Sequence, residues 1–230
     1  MNGKRLRLWD LPTRLFHWLL VLAIVAAIVS GQLGGNLIVW HGRIGIFIVG
    51  LIVFRLAWGV LGSTYARFAQ FFPTPARVKA QLRGEWRQPG HNPLGALSVL
   101  ALLGLIGFQA VSGLFANDDI AFNGPLYDLV DGALSNRLSG LHYLASNGLY
   151  LLIALHLGAI VFYRRVKQIN LVRPMLTGWH EDKGEGEDAR GGGPLALIVA
   201  LMLAVAAAYG ASGAWLPEPP PPPAVEIPAW

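Results

Sequence analysis

No cysteine occurs anywhere in the 230 residues. That absence excludes disulfides, thiolate-ligated iron–sulfur clusters and covalent attachment of a c-type haem through C-x-x-C-H. Charge is scarce as well: 13% of residues are Asp, Glu, Lys or Arg, where a soluble domain carries about 25%. With 54% hydrophobic residues and a mean hydropathy of +0.48, the chain reads as a membrane protein before any motif is considered. Acidic residues are missing from its apolar runs, which speaks against a transporter relaying protons through intramembrane carboxylates and histidines. The net charge of +5 is no footprint for nucleic acid, because the basic residues lie at the ends of apolar segments, where membrane topology puts them.

What the chain does have is long apolar runs. Spans are expected near 13–31, 41–61, 93–115 and 141–163, with a fifth, alanine-rich span at 194–215. The basic start followed by an apolar run also admits a signal peptide, although RLFHW interrupts a normal apolar core. Residues 117–140 read as a loop with short helical turns, and Glu181–Gly193 as a flexible, glycine-rich linker. The end, PEPPPPPAVEIPAW, is expected as an extended polyproline tail, with Pro219–Pro223 a stiff spacer presenting Ala224–Trp230. The division that follows is a core over 1–178, a linker over 179–193, a fifth helix over 194–215 and a tail over 216–230.

Cations set the expected orientation. Segments 1–14, 67–87 and 164–190 together hold 15 Lys and Arg, whereas the opposite connections hold two, Arg43 and Arg137. The rule that cytoplasmic loops are positive puts the N-terminus inside and the proline tail outside.

The run LHYLASNGLYLLIALHLGAIVFY carries His142 and His156, 14 residues apart. Helix geometry returns them to nearly one face, about 21 Å apart along the axis. A hydrocarbon core about 30 Å thick then sets one imidazole near each surface, too far apart for any shared metal ion. On this helix alone, two stacked redox centres and two histidines lining a wet cavity or bonding to neighbouring helices remain open. Topology adds His17 at the inner level and His41 at the outer. Two imidazoles at each level are what two bis-histidine haems require, pairing His17 with His156 and His41 with His142. His91 and His180 are expected in solvent.

Arg55 follows His41 by the same 14 residues and faces the inner pair. It is a candidate for pairing with a haem propionate, or for snorkelling to the headgroups. Arg14 and Arg43 are further candidates, with snorkelling favoured. Gly95, Gly104, Gly107 and Gly113 permit close approach of a helix or of a flat macrocycle.

RLFHW at 14–18, HGRIGIFIVGLIVFRLAWGVLGS at 41–63, GHNPLGALSVLALLGLIGFQAVSGLF at 90–115, the fourth run at 141–163 and NLVRPMLTG at 170–178 together resemble the bacterial cytochrome b561 family, which includes the cytochrome b subunits of nickel–iron hydrogenases. The resemblance runs from about Leu8 to Gly178. It implies an all-α integral membrane protein, a four-helix bundle holding two b haems on residues matching His17, His41, His142 and His156. It further implies quinone-linked electron transfer across the bacterial inner membrane, as an electron-transfer subunit or quinone-linked oxidoreductase. The partner would be a periplasmic or membrane redox protein, a c-type cytochrome or a hydrogenase. The fifth span and proline tail depart from the four-helix pattern. Besides the proton-relay transporter, the rival class is a membrane di-iron enzyme, whose histidines would cluster at one depth.

Overall fold

The structure, a computed structural model, describes residues 4–120, 122–182 and 186–217. The proline tail therefore lies outside the described residues. Strand β1 (Lys4–Arg7) leads into helix α1 (Leu11–Leu33), α2 (Ile38–Leu61), the short α3 (Phe68–Phe71) and α4 (Pro75–Leu82). Helices α5 (Pro93–Leu114), α6 (Gly132–Arg165) and α7 (Val172–Thr177), strand β2 (Trp179–Asp182) and α8 (Pro194–Ala211) complete it. Five of these helices, α1, α2, α5, α6 and α8, are long and apolar enough to cross a membrane.

Capping chemistry sets the helix starts. The Asp10 carboxylate accepts the Thr13 N–H at 2.7 Å, with proline in the first turn of α1. Asn92 does the same for Gly95 at the start of α5, again before proline, while its amide donates to the Tyr163 hydroxyl on α6 at 2.7 Å. Asp131 caps α6 by accepting from Leu134 at 2.7 Å. That cap corrects the loop expected over 117–140: α6 starts at Gly132. Ser135 and Ser139 secure its first turns, Ser135 donating to the Phe115 carbonyl and Ser139 accepting the Asn117 N–H.

Helix α2 is central. It packs against α1, α5 and α8, whereas α6 packs along α5 and stands off from α1 and α2. Small residues bring α8 close: a Cβ at Gly50 would meet the Ala204 carbonyl oxygen at 3.3 Å and Ala208 Cβ at 3.4 Å.

The segment read as a flexible linker makes specific contacts over its described part. β2 pairs antiparallel with β1, His180 opposite Leu6, and Leu6 is fully buried with Leu8 and Trp9 beside it. His180 is thus a strand residue, half-buried rather than free in solvent. Further on, Asp188 accepts the Arg7 N–H, Ala189 donates to the Arg7 carbonyl, and Arg190 accepts from Thr64. The backbone amides of a glycine-rich stretch need partners wherever they are covered, and β1 with the end of α2 supplies them. All these contacts gather at one end, the basic end. The opposite, acidic end holds the loop from Asn117 to Asp131, where Phe122 closes over Gly42.

Candidate functional site

At the acidic end, α2 delivers His41 and α6 delivers His142 to facing positions, with ring centres 6.0 Å apart and planes nearly perpendicular. Two imidazole nitrogens sharing one metal through bonds of about 2 Å put their ring centres about 6 Å apart. The two rings are also fixed in tautomer. His41 Nδ1 lies 2.8 Å from the Ala27 carbonyl oxygen, and His142 Nδ1 lies 3.0 Å from that of Gln109 and 3.2 Å from Ser112 Oγ. A carbonyl oxygen only accepts, so each Nδ1 carries the hydrogen and each Nε2 keeps a lone pair for a metal.

Glycine makes room for both rings. A Cβ at Gly31 would meet His41 Nδ1 at 2.9 Å, and one at Gly113 would meet His142 Cε1 at 3.1 Å. Of the glycines singled out in α5, Gly113 therefore clears an imidazole, whereas Gly107 faces Ile52 in ordinary helix packing and Gly104 faces open space. The cavity around the two histidines is mostly apolar, lined by Ile24, Ile48, Ile106, Ala110 and Leu149 among others. The stand-off of α6 from α1 and α2 leaves a slot beside the paired imidazoles, which suits a flat macrocycle.

The basic end is built differently. His17 on α1 and His156 on α6 lie within electrostatic reach of each other, but the buried Nδ1 of His17 has no partner among the described residues. Arg55 is 4% exposed, its side chain enclosed by protein. Its guanidinium donates to the Ala66 carbonyl at 3.0 Å and lies 4.7 Å from the Phe68 ring centre, with Asp10 within electrostatic reach. Arg14 donates to the Leu176 carbonyl, and exposed Arg43 sits over Trp40.

His91 is half-buried, not free in solvent as expected. It is wedged between Trp9 and Phe71, with ring centres 4.7 and 4.6 Å away, and its Nδ1 is buried without a partner among the described residues. Burial pushes the imidazole down to about 3, helped by the positive charge of Arg55 and by His17 and His156, so it is neutral near pH 7. Sequence reasoning missed His91 and Asp10, which also accepts the Trp58 indole N–H at 3.0 Å. Capping signals in DLP and HNP marked both neighbourhoods but said nothing of these contacts. Among the described residues, no group of three or more His, Cys, Asp or Glu could hold a metal ion, so the cluster a di-iron enzyme needs is not formed by them.

A family model described as prokaryotic cytochrome b561 matches residues 8–178. Two similar proteins carry the description probable Ni/Fe-hydrogenase B-type cytochrome subunit. One, from Azotobacter chroococcum mcd 1, is 24% identical over 78% of this chain and 90% of its own length. The other, from Azotobacter vinelandii, is 23% identical over the same shares. No solved structure gives a significant match.

Proposed function

We propose, from the premise that this chain belongs to the prokaryotic cytochrome b561 family, that it carries electrons across a bilayer through two b haems. Family membership makes it a multi-pass membrane protein of b-haem electron transfer; the number of haems, their ligands and the partners are our reading. His41 and His142 would hold one haem, and His17 and His156 the other.

The observation that carries this reading is the acidic-end pair: ring centres 6.0 Å apart, each Nδ1 committed to a backbone carbonyl. His41 and His142 would hold a haem b there, which when bound would supply one-electron chemistry. The Ala27 and Gln109 carbonyls orient the imidazoles and raise their basicity. Gly31 and Gly113 let the rings lie against the neighbouring backbones, and the apolar lining keeps water from the site. At the basic end, Arg55 would offset a propionate, a role suited to a guanidinium held in low dielectric.

The wider reading is quinone-linked transfer in the bacterial inner membrane, with a cytoplasmic N-terminus and a periplasmic C-terminus. The basic end would face the cytoplasm, supported by its 15 Lys and Arg. The partner would be a hydrogenase, as the descriptions of the relatives suggest, or a c-type cytochrome.

Single alanine variants test the site. His41→Ala and His142→Ala are expected to remove the same haem, and His17→Ala and His156→Ala the other, each leaving about half the haem per folded protein. If His41→Ala and His156→Ala left the same residual spectrum and potential, the pairing would be wrong.

A further inference from the structure

His91 is a half-buried side chain with a buried ring nitrogen that the ligand set leaves unexplained. Its position is held from several directions. Trp9 and Phe71 flank the ring, Gly90 beside it takes a left-handed φ of 95° against Tyr65, and Asn92 after it ties α5 to α6 through Tyr163. A ring so placed is not seeking a partner by rotation. Yet its Nδ1 is buried with no partner among the described residues, a costly condition when nothing compensates it. The groups within electrostatic reach are Arg55, His17 and His156, a cation and the two proposed ligands of the basic-end haem. Thr13 Oγ1, one helical turn before His17, is likewise buried and unpartnered. Donors beside a buried cation select an anionic oxygen acceptor, and the anionic groups of a b haem are its two propionates.

We infer that His91 donates an N–H to a haem propionate at the basic end, as a positioning residue acting beside Arg55. The inference rests on the two-haem reading above. It assigns a role to a side chain outside the ligand set: an imidazole hydrogen bond steadies the carboxylate and favours the reduced, more negative centre.

The test uses the full chain, purified in detergent with quinone removed. Both haems are titrated potentiometrically, and the propionate bending bands are followed by resonance Raman. His91→Phe keeps the aromatic packing and removes the donor; His91→Gln restores a donor. The expected result is a basic-end haem about tenfold harder to reduce in His91→Phe, a downward shift of about 59 mV for a one-electron couple. Its propionate bands should move, the acidic-end haem should be unchanged, and His91→Gln should recover most of the shift. Loss of that haem in His91→Phe with retention in His91→Gln would also support the role. Unchanged potentials and bands would overturn it, as would loss of haem in both variants, because packing alone would then explain the residue. A shift that appears only when quinone is added back would overturn it too, assigning His91 to a quinone carbonyl. A wild-type protein holding a single haem would instead defeat the two-haem reading, a result separate from any His91 effect.

Discussion

The two ends of the bundle solve the problem of orienting a histidine by different means. At the acidic end the polypeptide completes the task itself: His41 and His142 each give Nδ1 to a backbone carbonyl of a neighbouring helix. At the basic end His17 Nδ1, His91 Nδ1 and Thr13 Oγ1 are buried without partners among the described residues, and a buried arginine is nearby. Backbone carbonyls are fixed by the helices and tolerate side-chain change, whereas side-chain donors await an acceptor from elsewhere. The acidic-end pair is thus oriented before any cofactor binds, and the basic end is more dependent on what binds it.

The strongest way to break that contrast is to fill the acidic-end clearances. Gly31→Leu should displace His41, since even a Cβ would lie 2.9 Å from its Nδ1. Near-complete loss of one haem, with the other spectrally intact, is the expected outcome; haem per folded protein measures it. A protein that kept both haems would show that the acidic end is less rigid than its geometry implies.

A smaller effect is expected from the strap over the basic end. Gly192 has a φ of 67°, and a Cβ there would meet Trp58 Cζ2 at 2.8 Å and Ser63 N at 2.9 Å. Gly192→Val should cost about 1–3 kcal/mol through backbone strain and disturb Trp58, which bonds Asp10. Thermal unfolding in detergent should show the loss, with the basic-end haem released first. Release of the acidic-end haem first would reverse the comparison.

Arg55→Leu sharpens it further. Removing a cation from low dielectric should lower the potential of the basic-end haem alone, by about tenfold in its redox equilibrium, or about 59 mV. Redox titration would detect this, and an unchanged titration would remove Arg55 from the propionate's surroundings. The smallest change is expected from Ser112→Ala. It takes away the 3.2 Å contact to His142 Nδ1 but leaves the Gln109 carbonyl at 3.0 Å. Net hydrogen bonds of this kind contribute about 0.5–1.5 kcal/mol, so haem content should hold and the acidic-end potential should move slightly. Loss of that haem would mean the serine, and not the backbone, orients the ring.

Much of this was legible in the chain. The apolar runs located all five spanning helices, because hydropathy over a bilayer-length window is a strong signal, but not the start of α6, which lies at Gly132 and not near 141. The histidines that meet across the acidic end follow from spacing and alternation of spans. Less legible was anything depending on polar groups between elements. The flexible-linker reading of Glu181–Gly193 came from its glycines and charges, yet Arg7, Thr64 and Ser63 give that segment backbone partners over the described part. His91 looked like a loop residue in solvent because nothing local reveals that Trp9, some eighty positions earlier, folds back over it.

Membrane character, the number of spans and the family could all be read from the chain, since these depend on composition, run length and local motifs. Which nitrogen of His41 and His142 is left for a metal, the burial of Arg55 and the packing of His91 between Trp9 and Phe71 emerge with folding. Each of those depends on a partner brought by another helix or strand. The free energy of a buried polar group is set by what stands against it in space, and spacing along a chain does not specify that.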